Sequence, residues 1–213
     1  MKKILLFVFF FLFIPVITYA EEEDLAPNAK SAIMIEASTG EILFQKNKDE
    51  KMAPASMTKM MSLLLIFEEI DKGSIKWDEM ITTSEHASSM GGSQIFLKVG
   101  EKMSVLDLIK GICIASANDA TVLMAERVSG SEEAFVKRMN EKAKEIGLKS
   151  TNFINATGLD ADNHYSSAND MALIAKELVK HEKVLEFSNT YEDYLRKDTS
   201  NPFWLVNTNK VVC

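Results

Sequence analysis

The sequence is poor in cysteine and histidine, and each scarcity removes a class of function. Two cysteines in 213 residues cannot build the disulfide framework of a small secreted scaffold. Cys113 lies in an apolar stretch and reads as a small buried hydrophobe. Cys213 would be its only partner in an exported chain. His86, His164 and His181 are scattered, with no H-x-x-x-H or Cys/His spacing, so no metal site is expected. No repeat period and no low-complexity segment is visible, which excludes solenoids and arrays. Positive charge is also short: 24 Lys and Arg face 31 Asp and Glu, for a formal net charge of -7. Nucleic-acid binding wants clustered Lys and Arg, so no nucleic-acid partner is expected.

What is present begins with an address. Lys2 and Lys3 precede an apolar, Phe-rich run over 4–17, then Thr18-Tyr19-Ala20 and the acidic Glu21-Glu22-Glu23-Asp24. The run is shorter than the ~20 residues a spanning helix needs. The layout is that of a cleavable secretory signal over 1–20, and it predicts export. Removing it takes away two lysines and no acid, so the remainder is more acidic still. Hydrophobic residues make up 46% of the chain, enough to bury a core.

Two strand-like runs, 32–36 and 41–45, flank the turn residues Ser38-Thr39-Gly40 and predict a β-hairpin. A helix is expected over 56–71, with Gly73 just past its end. Its centre is apolar nearly all round, so it should be buried. A short strand over 77–82 and a loop at 90–93 come next. Ser104, with Asp107 three residues on, opens a second helix that stops at Ser116-Ala117-Asn118. Further helices are expected over 119–127, 131–146 and 167–180. No element is expected after them. A lone hairpin cannot stand as a sheet beside so much helix, so it should belong to a larger sheet whose other strands are missing or come later.

Ser56-Met57-Thr58-Lys59 is the one Ser-x-x-Lys in the chain. Alone it is weak, since a sequence this rich in serine and lysine supplies such a match by chance. Two features raise it. The helix has no obvious wet face for Lys59, and i, i+3 spacing puts Lys59 on the side of Ser56. A serine hydroxyl needs a base, and a lysine can serve if desolvation lowers its pKa toward ~7–8. The helix N-terminus would favour an oxyanion there. Ser116-Ala117-Asn118 is the second candidate: a hydroxyl to pass a proton and an amide to hold one. Ser167-Ala168-Asn169 repeats the tripeptide, but Asp170 makes that copy a capping box, and Ser167 reads as structural. Capping by Asn118 or Asp119 stays open as the bland alternative for the first copy.

Taken with Gly91-Gly92-Ser93-Gln94-Ile95-Phe96-Leu97, Thr157-Gly158-Leu159, His164-Tyr165-Ser166-Ser167-Ala168 and Asn207-Thr208-Asn209, these motifs resemble the low-molecular-weight penicillin-binding D-alanyl-D-alanine carboxypeptidases. The form found in sporulating Gram-positive bacteria is the most similar. The likeness runs from Ser31 to Val211. It implies an α/β (α+β) fold of the β-lactamase/transpeptidase type, an antiparallel sheet flanked by helices, with 21–213 as a partial catalytic domain. It implies Ser56 as nucleophile, Lys59 as general base, Ser116 as proton relay, Asn118 as a substrate-binding residue, and the Ser56 N–H as half of the oxyanion hole. No cofactor is implied. The implied partners are a peptidoglycan stem peptide ending in D-Ala-D-Ala and β-lactams as covalent inhibitors, and the resemblance leaves room for membrane-surface association in a longer form.

Two departures stand out. Ala156 replaces the proline usual before Thr157-Gly158-Leu159. The family's third motif, Lys-Thr-Gly, is absent: no lysine here is followed by Thr or Ser and then Gly. With it go the lysine that binds the substrate carboxylate, the other oxyanion donor and the later sheet strands. The expectation is a truncated or partial sequence, inactive as it stands. The rival readings are a β-lactamase, which should carry a water-activating Glu where Asn155 to Asp160 has none, and a non-catalytic wall-associated binding protein.

Overall fold

The structure, a computed structural model, describes residues 24–212. The expected signal segment and any pairing through Cys213 lie outside the described residues. Strands β1 (Ala32–Ile35) and β2 (Ile42–Lys46) form the expected antiparallel hairpin, with Met34 opposite Phe44. Its turn is organised by Glu36. That carboxylate accepts from the Ser38 N–H at 3.0 Å and the Thr39 N–H at 2.6 Å. These bonds favour the ionised form and hold Glu36 at about 2.

The helix expected from Ser56 divides in two. A 3-10 turn, Ala55–Thr58, leads into α1 (Lys59–Asp71). The sequence pattern could not show the tighter first turn, because i, i+3 and i, i+4 spacings share the same apolar residues. α1 is buried along its length, and Met61, Leu64, Leu65, Ile66 and Phe67 are at most 2% exposed. Such all-round burial is what a helix without a polar face requires.

Strand β3 (Met80–Thr82) and the short α2 (Glu85–Ser88) follow, and β4 (Lys102–Ser104) pairs antiparallel with β3. Then come α3 (Val105–Ala115), α4 (Asn118–Ser129), α5 (Glu132–Glu145) and α6 (Ala168–Leu178). Serine hydroxyls cap three of these: Ser104 accepts from the Asp107 N–H, Ser131 from Ala134, and Ser167 from Asp170. α4, α5 and α6 pack on α1, α3 packs on α4, and Leu108, Ile109, Leu123, Phe135, Met139 and Ile174 complete the core.

One expectation fails at the C-terminal end. Helix α7 (Glu182–Ser188) and a second hairpin, β5 (Glu192–Leu195) with β6 (Phe203–Val206), follow where nothing was expected. β5 is too short and too acidic to read as a strand. It is held from outside: Leu195 and Leu205 are fully buried, Lys110 reaches Asp193 at 2.7 Å, and Arg196 pairs with Glu101 at 2.5 Å. Among the described residues every sheet has two strands, and β1 has no partner beyond β2. That agrees with the expectation of a hairpin lacking its neighbours. No described helix is long and apolar enough to cross a membrane.

Candidate active site

Ser56 sits on the outer side of the 3-10 turn and is exposed, while Lys59 is 4% exposed. At the head of the turn Ala55 takes a left-handed φ of 46°, a conformation that is strained for a residue with a Cβ. The Lys59 Nζ lies 3.3 Å from the Ser56 Oγ and donates to the Thr157 carbonyl at 2.8 Å. Burial disfavours the ammonium and brings the Lys59 pKa down from 10.5 to about 8. A neutral fraction is therefore available near neutral pH. The Thr157 carbonyl takes one N–H, and in the neutral amine the lone pair can turn toward Ser56.

The wall behind this pair is the loop before α6. The Ala156 carbonyl accepts from the Ser62 hydroxyl at 2.7 Å, one turn along α1 from Lys59. Asn155 Oδ1 accepts from the Gly158 N–H at 2.7 Å, and Glu132 Oε1 accepts from the Ala156 N–H at 2.9 Å. Gly158 has a φ of +84°, and a Cβ there would lie 1.8 Å from the Ala55 carbonyl oxygen. The loop and the Ala55–Thr58 turn thus touch backbone to backbone, and only glycine permits it. Ala156 sits here without strain on the site: it is fully buried and keeps its N–H bonded to Glu132.

Ser116 ends α3 in a left-handed conformation, with φ 56° and ψ 36°. It lines a cavity of about 410 Å³ together with Ser56, Lys59, Cys113 and Thr208. Three of the four expected residues, Ser56, Lys59 and Ser116, therefore share one cavity. Thr208 is brought there by its N–H, which donates to the Ile114 carbonyl at 3.2 Å. Asn118 is 4% exposed and does not line that cavity. Its Nδ2 donates to the Gly91 carbonyl at 2.7 Å, and its N–H donates to the Ser93 carbonyl at 2.7 Å. It pins the loop at 91–93 to the start of α4. Capping does not explain it, because the N-cap is Ala117, which offers no side-chain bond. The Asp119 carboxylate accepts from the Ile95, Leu97 and Ala120 N–H groups at 3.1, 3.0 and 2.9 Å. Ser167 is where its capping box put it, away from the cavity.

Sequence reasoning missed the Thr157 carbonyl, Asp119 and the buried pairing of His164 with Thr58. The carbonyl carries no residue-type signal at all. The sequence offers Asp119 only as a cap beside the Ser116-Ala117-Asn118 motif, not as the anchor of the loop at Ile95 and Leu97. The histidines sit apart: His86 bonds Glu132 at 2.8 Å, His181 bonds Asp71 at 2.6 Å, and His164 is 7% exposed. Desolvation pushes the Cys113 thiol up to about 12, in keeping with an inert side chain.

The family model for D-alanyl-D-alanine carboxypeptidases, peptidase S11, matches residues 18–213. The D-alanyl-D-alanine carboxypeptidase DacF of Bacillus subtilis is 61% identical over 189 residues, which are 89% of this chain and 49% of that protein. Penicillin binding protein 5 from Haemophilus influenzae superposes with a TM-score of 0.80 at 33% identity, covering 86% of this chain and 53% of that one. The D-alanyl-D-alanine carboxypeptidase DacD from Francisella tularensis gives 0.75 at 38% identity, covering 78% and 40%. The chain spans about half the length of the curated relatives it matches.

Proposed function

The chain belongs to the peptidase S11 family of D-alanyl-D-alanine carboxypeptidases, and from that premise we propose that Ser56 is the nucleophile of a serine carboxypeptidase acting on peptidoglycan stem peptides. The observation that carries the proposal is the Lys59 Nζ at 3.3 Å from the Ser56 Oγ, on a buried base. In this reading the Ser56 oxygen attacks the carbonyl of the penultimate D-alanine as Lys59 takes its proton. The tetrahedral oxyanion is stabilised by the Ser56 N–H. Ser116 relays a proton to the departing amine of the terminal D-alanine, leaving the acyl group on Ser56 for water to remove. Asn118, whose Nδ2 is taken by the Gly91 carbonyl, has its Oδ1 left to meet an N–H of the substrate's acyl portion from the start of α4. Penicillin, a strained amide, would acylate the same oxygen.

Residues 1–20 would be the export signal and 21–213 part of the catalytic domain, on the outer side of the cytoplasmic membrane. The 213 residues contain no Lys-Thr-Gly, so by themselves they lack the family's carboxylate-binding lysine and second oxyanion donor. We therefore expect activity from a form that carries that strand. The test is labelling with a fluorescent penicillin, using the chain extended by the remaining residues of the Bacillus subtilis relative. Ser56→Ala should abolish the label, and equal labelling of the two proteins would sink the assignment.

A further inference from the structure

Between Ser56 and Lys59 stands Thr58, fully buried, with its side chain turned to the loop behind the site. Its Oγ1 lies 2.9 Å from the His164 Nε2. The other ring nitrogen, Nδ1, lies 3.3 Å from the Ile154 N–H. An amide N–H can only donate, so Nδ1 must carry a lone pair. The single ring proton is then on Nε2, and it donates to Thr58. The ring is also fixed by an edge contact to Phe153, at 5.9 Å between centroids. One imidazole thus joins the nucleophile's turn to the loop whose Thr157 carbonyl holds Lys59.

We propose that His164, as its Nε2–H tautomer, is a positioning residue that clamps the Ala55–Thr58 turn and so sets the place of the Ser56 oxygen. The proposal rests on the reading of Ser56 as the acylated group. A second proton on Nδ1 would set two N–H groups facing each other and remove the acceptor for Ile154. Clamping and protonation are therefore exclusive. Burial disfavours the imidazolium and lowers the His164 pKa from 6.5, while the charge of Asp160 opposes this. Asp162 lines the same cavity as Asp160 and His164. Lys59, in the adjoining turn, directs its ammonium to Ser56 and Thr157 instead.

Two titrations should then act on acylation. Below about 8, where Lys59 becomes charged, the rate falls tenfold per pH unit. Below the His164 titration, under 6.5, it should fall about a hundredfold per unit, because both groups must be unprotonated. Penicillin acylation against pH, in the chain extended by the remainder of the Bacillus subtilis relative, reads this change of slope. His164→Gln can accept from Ile154 and donate to Thr58. It should keep the near-neutral rate within about threefold and hold the single slope throughout. His164→Ala should lose about tenfold to a hundredfold near neutral pH, as a displaced nucleophile does. Imidazole nitrogen shifts by NMR should show Nδ1 unprotonated. Exchange of the Met57 N–H, bonded to the Pro54 carbonyl at 3.2 Å, should quicken as His164 titrates in the wild type and not in His164→Gln. A single slope in the wild type, an Nδ1–H tautomer, or full speed in His164→Ala would overturn the clamp. If His164→Ala fails to fold, the Gln variant, the tautomer and the Met57 exchange decide. Persistent labelling of Ser56→Ala would sink the Ser56 reading instead, and leave the clamp to be judged by the tautomer and the exchange.

Discussion

Gly158 and Lys59 show how single residues set the geometry of the site. Substituting Ala for Gly158 would place a methyl 1.8 Å from the Ala55 oxygen and force a φ of +84° on a residue that avoids it. The turn must then move, and Ser56 moves with it. Gly158→Ala should reduce acylation by about a hundredfold and destabilise the fold by roughly 1–3 kcal/mol, the range for strain at a special backbone position. Acylation kinetics and a urea melt check both. Lys59 makes a prediction of the opposite kind. Its pKa is depressed from 10.5 to about 8, so between those values the folded protein binds fewer protons than the unfolded chain. Stability must therefore rise with pH across that window and be lost as pH falls through it. Lys59→Met removes the titrating group. It should flatten that rise in denaturant midpoint between pH 8 and 10.5, and it should abolish acylation. A wild-type midpoint that does not change over the window would mean that Lys59 is not desolvated.

The elements divide into those the sequence could announce and those it could not. The first hairpin, α1 and the serine-capped helices carry local signals: turn residues, capping boxes, an apolar run too even for a surface helix. α7, β4 and the β5–β6 hairpin carry none, because their reasons lie elsewhere in the chain. β6 exists where Leu205 fills the core and β5 where Lys110 and Glu101 meet Asp193 and Arg196. The site divides the same way. Ser56, Lys59 and Ser116 were legible as a spacing and a motif. The Thr157 carbonyl and the Thr58–His164 pair join segments far apart in sequence through atoms whose residue types say little. The two Ser-Ala-Asn copies make this testable at the scale of a helix end. Ser167 caps α6 through the Asp170 N–H at 3.2 Å. Ser167→Ala should cost about 1 kcal/mol of stability, as lost N-caps do, and leave acylation nearly intact. Ser116→Ala, at a helix end facing the cavity, should slow release of D-alanine by about a hundredfold or more with little change in melting. The reverse pattern would mean that the wrong copy was chosen.

At the scale of the molecule, α1 is buried over most of its surface, and Met60 is its partly exposed apolar residue beside open space. Ile33 and Ile35 of β1, Met57, Met60, and Ala172, Ala175 and Val179 around α6 line an apolar groove of about 510 Å³. Met57, Met60, Ala175 and Val179 continue it into the cavity that holds Ser56, Lys59 and Ser116. The edge of β1 beside this groove has no strand partner among the described residues. An open strand edge next to apolar side chains is a template for pairing with another chain. Each Å² of apolar surface left in water forgoes roughly 25 cal/mol, against total stabilities of ~5–15 kcal/mol. Further strands of the larger sheet that the family resemblance implies would cover both the groove and the open edge. The absence of one oxyanion donor alone would cost about 10²–10³ in rate. We expect the 213 residues alone to self-associate with rising concentration, to label slowly or not at all with penicillin, and to release no measurable D-alanine. Extending the chain with the remaining residues of the Bacillus subtilis relative should yield a monomer by sedimentation, raise the urea midpoint and restore both reactions. If the 213 residues alone are monomeric and release D-alanine at ordinary enzymatic rates, groups already in this sequence must supply the second oxyanion donor and the carboxylate site. Thr208 and Asn209 would then be the first to mutate, because Thr208 already lines the cavity beside Ser56 and Ser116.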